Sequence, residues 1–398
     1  MNIQPMDTDL SQEDLGQYQL PPELKHLEPY RSYAKPIKED VWGFFIPQFK
    51  NDGTKNMDWY NFRSETIGAS AVAMLVGLSE YGDPVELFHE KLGFKMPFTD
   101  SSFTYFGLLL EDKIAFSWRY YDGTEDGYVA NKFAGKVIRE NAEIPCYAIN
   151  VNYPWISASL DYLVPGGQVS PFTGEKINFD FPLEIKNISP FAAEKYETGL
   201  PSTYVAQVNE QMLVTGCTYA EIAFLTSGCI FKTMPFDMDL ALCQKIILET
   251  RALWDRVEEA RAIIKVHEDT LVGLESPEEI NELIETTQNQ IHQLEPEPTG
   301  NKAFLEFYKA KYKVSRVDTA RAGDEDEWDL AVSYKKISAE IKRLTKEKDV
   351  IKHKIFSYSV MDEEVSFMGG DNGRVVNRRP DVGKSYFGVN IKNWEDDK

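Results

Sequence analysis

Between Val41 and about residue 228, apolar positions recur sometimes every three or four residues and sometimes every second one. That mixture predicts a single domain of helices and strands. Residues 64–79 (SETIGASAVAMLVGLS) form a compact apolar stretch with helical spacing, and residues 84–92 (PVELFHEKL) another, with Pro84 suited to a first helical turn. Residues 107–121 give a third helix, ending before Asp122-Gly123. Two strands follow. In WISASLDYLV (155–164), Ile156, Ala158, Leu160, Tyr162 and Val164 share one face, and Ser157, Ser159 and Asp161 the other. In INFDFPLEIK (177–186), Ile177, Phe179, Phe181, Leu183 and Ile185 alternate with Asn178, Asp180, Pro182, Glu184 and Lys186, and Pro182 predicts an edge or a bulge. The intervening residues 165–176 read as a hairpin loop, and residues 201–216 as a helix opened by Pro201 and closed by Gly216.

Beyond Asp239 the spacing becomes heptad-like. One row is Ile246, Leu253, Val257, Ala260, Ile264, His267, Leu271 and Leu274. A second is Ile280, Ile284, Thr287, Ile291 and Leu294, and a third is Tyr334, Ile337, Ile341, Leu344, Lys348, Ile351 and Ile355. These predict long helices packed as coiled-coil hairpins, with joints at 295–301 and 322–327. The tail reads as a β-hairpin turning at Pro380–Gly383. The expected organisation is a loosely ordered segment over 1–40, a mixed α/β domain over 41–240, a helical coiled-coil arm over 241–357 and a hairpin segment over 358–398.

Composition narrows the chemistry. The chain has 398 residues, 43 basic against 64 acidic, for a net charge of −21. This argues against indiscriminate coating of nucleic acid, though not against a local basic groove. No apolar run approaches the ~18 residues of a membrane span. The opening residues lack a basic stretch followed by an apolar one, so the expected location is the cytoplasm, with no membrane contact. Four scattered cysteines and five histidines without HxxxH or HExxH spacing argue against zinc. Any metal would be a hard cation held by oxygen.

Glu184 and Lys186 are two apart on one strand, so their side chains leave the same face. Asp161, on the polar face of the preceding strand, is placed to meet them across the hairpin. Such a cluster is either an exposed cross-strand ion pair or a cation site, since buried acids repel one another unless a cation lies between them. In the second case the matching chemistry is phosphodiester hydrolysis, with Asp161 and Glu184 holding magnesium and Lys186 near the attacking water. Glu111, on the helix of 107–121, is the candidate for a further oxygen ligand.

The order Asp161…Glu184-Ile185-Lys186, with Glu111 before it and Gln207 after it, resembles the PD-(D/E)xK nucleases, and among them the YqaJ-type viral recombinases related to lambda exonuclease. Four blocks carry the likeness: Trp59-x3-Arg63 with Ile67-Gly68-Ala69-Ser70; residues 78–93 around Tyr81-Gly82-Asp83-Pro84; LEIKNISPF at 183–191; and Tyr204-x2-Gln207-Val208-x2-Gln211-Met212-x-Val214-Thr215-Gly216. The resemblance implies a restriction-endonuclease-like core with a central mixed sheet flanked by helices. It implies Glu111, Asp161, Glu184 and the Ile185 carbonyl as ligands of Mg²⁺, or of Mn²⁺, which accepts the same oxygens. It implies Lys186 and Gln207 at the water or scissile phosphate, and Trp59, Arg63, Ser70 and Tyr204 as phosphate and DNA contacts. The implied activity is 5′–3′ hydrolysis of linear duplex DNA from phosphorylated ends, in a ring-shaped homo-oligomer acting with a single-strand annealing protein. An endonuclease of the same fold, or a non-catalytic DNA-binding scaffold working through the arm, are the alternatives. Ala71 stands where the family commonly has an acid, and the helices beyond about residue 240 lie outside the likeness to lambda exonuclease.

Overall fold

The computed structural model describes residues 15–50, 52–79, 82–94, 102–124, 127–140, 142–143, 146–188, 200–226, 229–300, 309, 323–358, 364–367, 373–378 and 386–391. The chain divides into two units, Met1–Lys313 and Val314–Lys398.

In the first unit a 3₁₀ stretch, Pro22–Tyr33, leads into β1 (Ala34–Lys38) and β2 (Val41–Phe44). The next elements are α1 (Met57–Ser64), β3 (Ile67–Gly68), α2 (Ala69–Leu75), α3 (Pro84–Lys91), α4 (Ser102–Tyr120) and α5 (Gly127–Phe133). Strands β4 (Ala142–Glu143), β5 (Tyr147–Asn150), β6 (Ile156–Ser159), β7 (Tyr162–Val164), β8 (Gln168–Val169), β9 (Lys176–Ile177) and β10 (Phe181–Ile188) follow. Then come α6 (Ser202–Thr215), β11 (Tyr219–Thr226), β12 (Ile230–Asp237), α7 (Leu240–Leu271) and α8 (Pro277–Gln293).

Two five-stranded sheets result, ordered β1-β2-β5-β6-β3 and β12-β11-β10-β7-β4. The second is mixed: β10 runs parallel to β11 and antiparallel to β7. The stretch expected as one strand over 155–164 is therefore two, broken at Leu160-Asp161, with β6 in one sheet and β7 in the other. The residues expected as one strand over 177–186 are likewise split into β9 and β10. Pro182 lies neither at an edge nor in a bulge. It sits at the start of a central strand, opposite Leu163, just before the ladder with β11 begins at Leu183. There its missing N–H costs little.

Alternation along β10 is what builds the layers. Phe181, Leu183 and Ile185 enter a core with Ile114, Ala115 and Trp118 of α4. On the other face, Ile188 of β10 and Ala220, Ile222 and Phe224 of β11 pack against Val208 and Met212 of α6. Gly216 closes α6 at φ 66°, a left-handed conformation that favours glycine. Of the stretch 64–79, expected to be helical throughout, Ile67-Gly68 is an edge strand parallel to β6, and only Ala69–Leu75 is helix.

Two expectations about the ends of the domain are corrected. Residues 22–38 are not a loose arm: Leu24, Leu27 and Tyr30 are buried against Phe44, Phe62 and Ile149. The first half of α7 is not part of an arm either. Cys243, Ile246, Leu253, Trp254, Val257 and Ala260 are buried in the main core, with α2, α3 and α6. A row of apolar residues at heptad spacing marks a buried stripe equally well in a coiled coil and in a globular core, so spacing alone does not separate them. The joint at 295–301 is docked, since Asp83 Oδ2 accepts hydrogen bonds from Thr299 N (3.0 Å) and Thr299 Oγ1 (2.6 Å).

The second unit holds α9 (Glu325–Tyr358) and an antiparallel sheet of β13 (Glu364–Phe367), β14 (Gly373–Arg378) and β15 (Tyr386–Ile391). The expected hairpin corresponds to β14–β15, with β13 as an additional strand; the turn at Pro380–Gly383 lies outside the described residues. No described helix is long and apolar enough to cross a membrane.

The placement of α7 predicts that Leu253→Ala, at a position 3 % exposed, lowers unfolding free energy by about 2–4 kcal/mol. Ile284→Ala on α8, at 44 % exposure, should cost under about 1 kcal/mol. Urea denaturation of the two variants measures the difference; similar losses would contradict the division of α7 and α8 into core and periphery.

Candidate active site

The site forms where β6 breaks into β7. The β10–β7 ladder ends at Leu183↔Tyr162, so Glu184 and Asp161 are the next residues on their chains beyond it. Asp161 Oδ2 accepts the Ile185 amide at 2.8 Å, a bond that fixes the bend. Because side chains alternate, Ile185 points into the α4 core while Glu184 and Lys186 leave the opposite face, toward α6.

Glu184 is 2 % exposed, so the exposed-ion-pair reading does not hold. Its Oε1 accepts from Lys186 Nζ and from Gln207 Nε2 at 2.6 Å, and its Oε2 from Gln211 Nε2. Burial opposes the Lys186 charge, but Glu184 and then Asp161 outweigh it and hold the ammonium above its ordinary range. Lys186 Nζ lies 5.3 Å from the centre of the Tyr204 ring, which brings Tyr204 into the same group. Asp161 titrates well above the usual carboxylate range, first from burial, then from Glu184 and Glu111, with Lys186 acting against them. Glu111 thus lies within electrostatic reach of Asp161 from its position on α4.

Whether these groups suit a cation can be judged from the donors. Two carboxylates meet at the β7–β10 junction, with a third in reach, and the mutual repulsion that raises Asp161 is what a divalent cation between them relieves. All are oxygen donors, which fits a hard cation. Among the described residues, however, no three Asp, Glu, His or Cys side chains form a ready-made cage.

The residues expected at a 5′-phosphate form a separate group. Arg63 on α1 donates to Tyr147 Oη at 3.1 Å and lies 5.0 Å over the Trp59 ring. Tyr147 pairs across β5–β6 with Ser159, whose carbonyl accepts from Gln211 Nε2 at 3.4 Å. One residue pair thus separates the Arg63 group from the Glu184 group. The end of α1 is clamped from outside: Lys91 Nζ donates to the Arg63 carbonyl at 2.7 Å, and Arg261 of α7 to the carbonyls of Ser64 and Lys91. Ser70 is exposed on the first turn of α2 and is not hydrogen-bonded to Arg63 among the described residues.

Two residues acquire a place here that sequence reasoning did not assign. Gln211 follows Gln207 by four on α6, one helical turn on the same face, and that spacing was the available signal. Tyr147 had none, because its contact with Arg63 spans 84 residues. Next to Gln211, Glu210 is fully buried, both its carboxylate oxygens lack a hydrogen-bond partner among the described residues, and burial followed by Glu184 pushes its titration well above the ordinary range.

Residues 58–218 match the model of the YqaJ-like viral recombinase domain. A curated relative, the uncharacterized protein YqaJ of Bacillus subtilis strain 168, is 27 % identical over 211 residues, 52 % of this chain and 57 % of that protein. The match thus spans little more than half of the relative's length. Among solved structures, an alkaline exonuclease from Laribacter hongkongensis is similar at 19 % identity and a TM-score of 0.38, covering 54 % of this chain and 100 % of that one. A phage-related exonuclease from Haemophilus somnus 129PT is similar at 14 % identity and a TM-score of 0.31, covering 49 % and 95 %.

Gln211→Ala leaves one oxygen of a buried carboxylate without its donor. It should lower stability by about 1–3 kcal/mol in thermal unfolding. Glu210→Gln tests the buried acid. With its folded pKa raised, Glu210 favours the folded state fully only below the unfolded value near 4.5, and that contribution is lost as pH rises through the folded value. The Gln variant should therefore match the parent near pH 4 and unfold at a higher temperature at pH 8; equal melting shifts at both pH values would contradict the assignment.

Proposed function

We propose that the chain is a Mg²⁺-dependent deoxyribonuclease that hydrolyses linear double-stranded DNA from 5′-phosphorylated ends. The observation that carries this reading is the meeting of Asp161, Glu184 and Lys186 at one strand junction within a YqaJ-like domain. Asp161 and Glu184, with Glu111 and the Ile185 carbonyl, would hold the cation. When bound, a divalent cation supplies Lewis acidity toward the scissile phosphate and lowers the pKa of water.

The remaining work falls to the chain. Lys186, on the same strand face as Glu184, orients the attacking water as a donor and offsets charge gathering on the phosphate oxygens. Gln207 fixes the rotamer of Glu184 from α6 and presents an amide beside the reacting centre. The Arg63 fork suits the oxygens of a terminal phosphate, and the Trp59 ring beneath it holds the guanidinium plane. Ser70 would add a neutral donor and Tyr204 a surface against which DNA stacks. A phosphate held by Arg63 and a scissile bond at Glu184 would sit on either side of the Tyr147–Ser159 pair, which is the arrangement required for cleavage counted from an end. A ring-forming homo-oligomer, a single-strand annealing protein as partner and a cytoplasmic setting complete the proposal.

The test uses linear duplexes that differ only in the 5′-phosphate, each with and without Mg²⁺. Rapid loss of one strand from the phosphorylated substrate is expected, with little loss from the unphosphorylated or closed circular one and none in chelator. Lys186→Ala should slow cleavage by about 10²–10³-fold while DNA binding persists. Equal cleavage of circular plasmid would instead select an endonuclease, and undiminished loss in the Lys186 variant would point away from this site altogether.

A further inference from the structure

Helix α9 runs 34 residues, and almost every residue along it is solvent-exposed. Its apolar row survives in that exposure: Leu330, Tyr334, Ile337, Ile341, Leu344 and Ile351 are 49–72 % exposed. With Tyr334, Ile341, Lys348 and Ile355 at one core position of the heptad and Leu330, Ile337, Leu344 and Ile351 at the other, the seam runs about 38 Å at 1.5 Å per residue. A seam of this length, apolar but for Lys348, on a solvated helix is a surface made to be covered.

We infer that a second copy of this chain covers it, as a parallel two-stranded coiled coil of α9 against α9. The flanking charges decide both the occupant and the direction. In a parallel pair Glu347 lies against Lys352 of the other copy, once on each side of the two-fold axis. The antiparallel pairing that stacks Ile341 on Leu344 sets Glu340 against Glu347 instead, twice. Arg343 also bonds both of these glutamates within its own helix, which holds the acidic row beside the seam. Lys348, the one charged residue in the seam, meets its own copy in the parallel arrangement. A lone lysine at such a position lowers stability while specifying register and a dimer. Self-pairing also needs no second protein with the same spacing. This association is separate from the nuclease chemistry and from any ring formed through the first unit.

The test is cross-linking in the full chain. Cys229 is the exposed native cysteine, so Cys229→Ser provides the background. Leu344→Cys should then form a disulfide-linked species of about twice 45.5 kDa at low protein concentration, because a parallel pair sets each Leu344 beside its counterpart. Adding Ile337→Asp and Ile341→Asp should reduce that species at least tenfold; both positions are exposed, so the substitutions remove no buried contact within the chain. Absence of the linked species would overturn the parallel pair, as would cross-linking between Ile341→Cys and Leu344→Cys chains while neither links to itself. Linkage that persists undiminished in the aspartate variants would also overturn it, by placing the contact elsewhere.

Discussion

Glu184 is a carboxylate almost wholly withdrawn from water in the middle of a sheet. A charge in that position is tolerable only if its oxygens are met by donors, and here they are met by an ammonium and two amides. That requirement organises the architecture around it. Lys186 must come two residues later on the same strand so that it shares the face, and α6 must lie across that face with glutamines a helical turn apart. Gln211 bonds Ser159 as well as Glu184, so the helix that satisfies the acid also ties the mixed sheet to the end of β6. Where one partner of a buried ion pair is removed, the other is left uncompensated, and the loss is larger than the pair was ever worth.

The same strand serves two masters because its period is two. Phe181, Leu183 and Ile185 supply apolar contact with α4, and Glu184 and Lys186 supply chemistry to α6. Slipping the register by one would put both acid and amine into the α4 core, so the hydrophobic face enforces the geometry of the polar one. The bend at Asp161 follows from the same economy of contacts. Leaving β6 for a different sheet frees its carboxylate to accept the Ile185 amide, and the acid is held by backbone and not by a mobile side chain.

This explains what could be read in the chain and what could not. The alternation over 177–186 made Glu184 and Lys186 neighbours on one face, and the pairing with Asp161 across a hairpin followed from the turn-rich residues between. The mixed core, the helix 201–216 with its glycine stop, and the helix from Pro84 were equally plain. Boundaries set by tertiary contact were not. Nothing local marks the break at Leu160-Asp161, since the alternation runs through it unbroken; the two strands part because each finds a different neighbour. The row Ile246, Leu253, Val257 and Ala260 has the spacing of a coiled coil and the surroundings of a globular core, and only the presence of α2, α3 and α6 against it separates the two. Pro-rich residues 22–38 looked loose for lack of periodicity, yet the buried Leu24, Leu27 and Tyr30 anchor them to the core.

The placement of α7 also ties the periphery to the Arg63 group. Arg261 lies one residue past the last fully buried position of that helix, and its guanidinium reaches the carbonyls of Ser64 and Lys91, while Lys91 reaches that of Arg63. The last carbonyls of a helix carry partial negative charge, so two cations there stabilise the C-terminal turn of α1. Burial pushes the Lys91 ammonium down, against Glu90, so this contact operates at a cost that a purely decorative lysine would not carry. Arg63 is on the final turn so fixed, and its guanidinium is held from the other side by Tyr147 and Trp59. A side chain with four rotatable bonds is thereby confined from backbone to tip. A helix outside the matched family domain thus contributes to orienting a residue inside it. The domain over 58–218 is for that reason not separable from α7, whatever the sequence likeness covers.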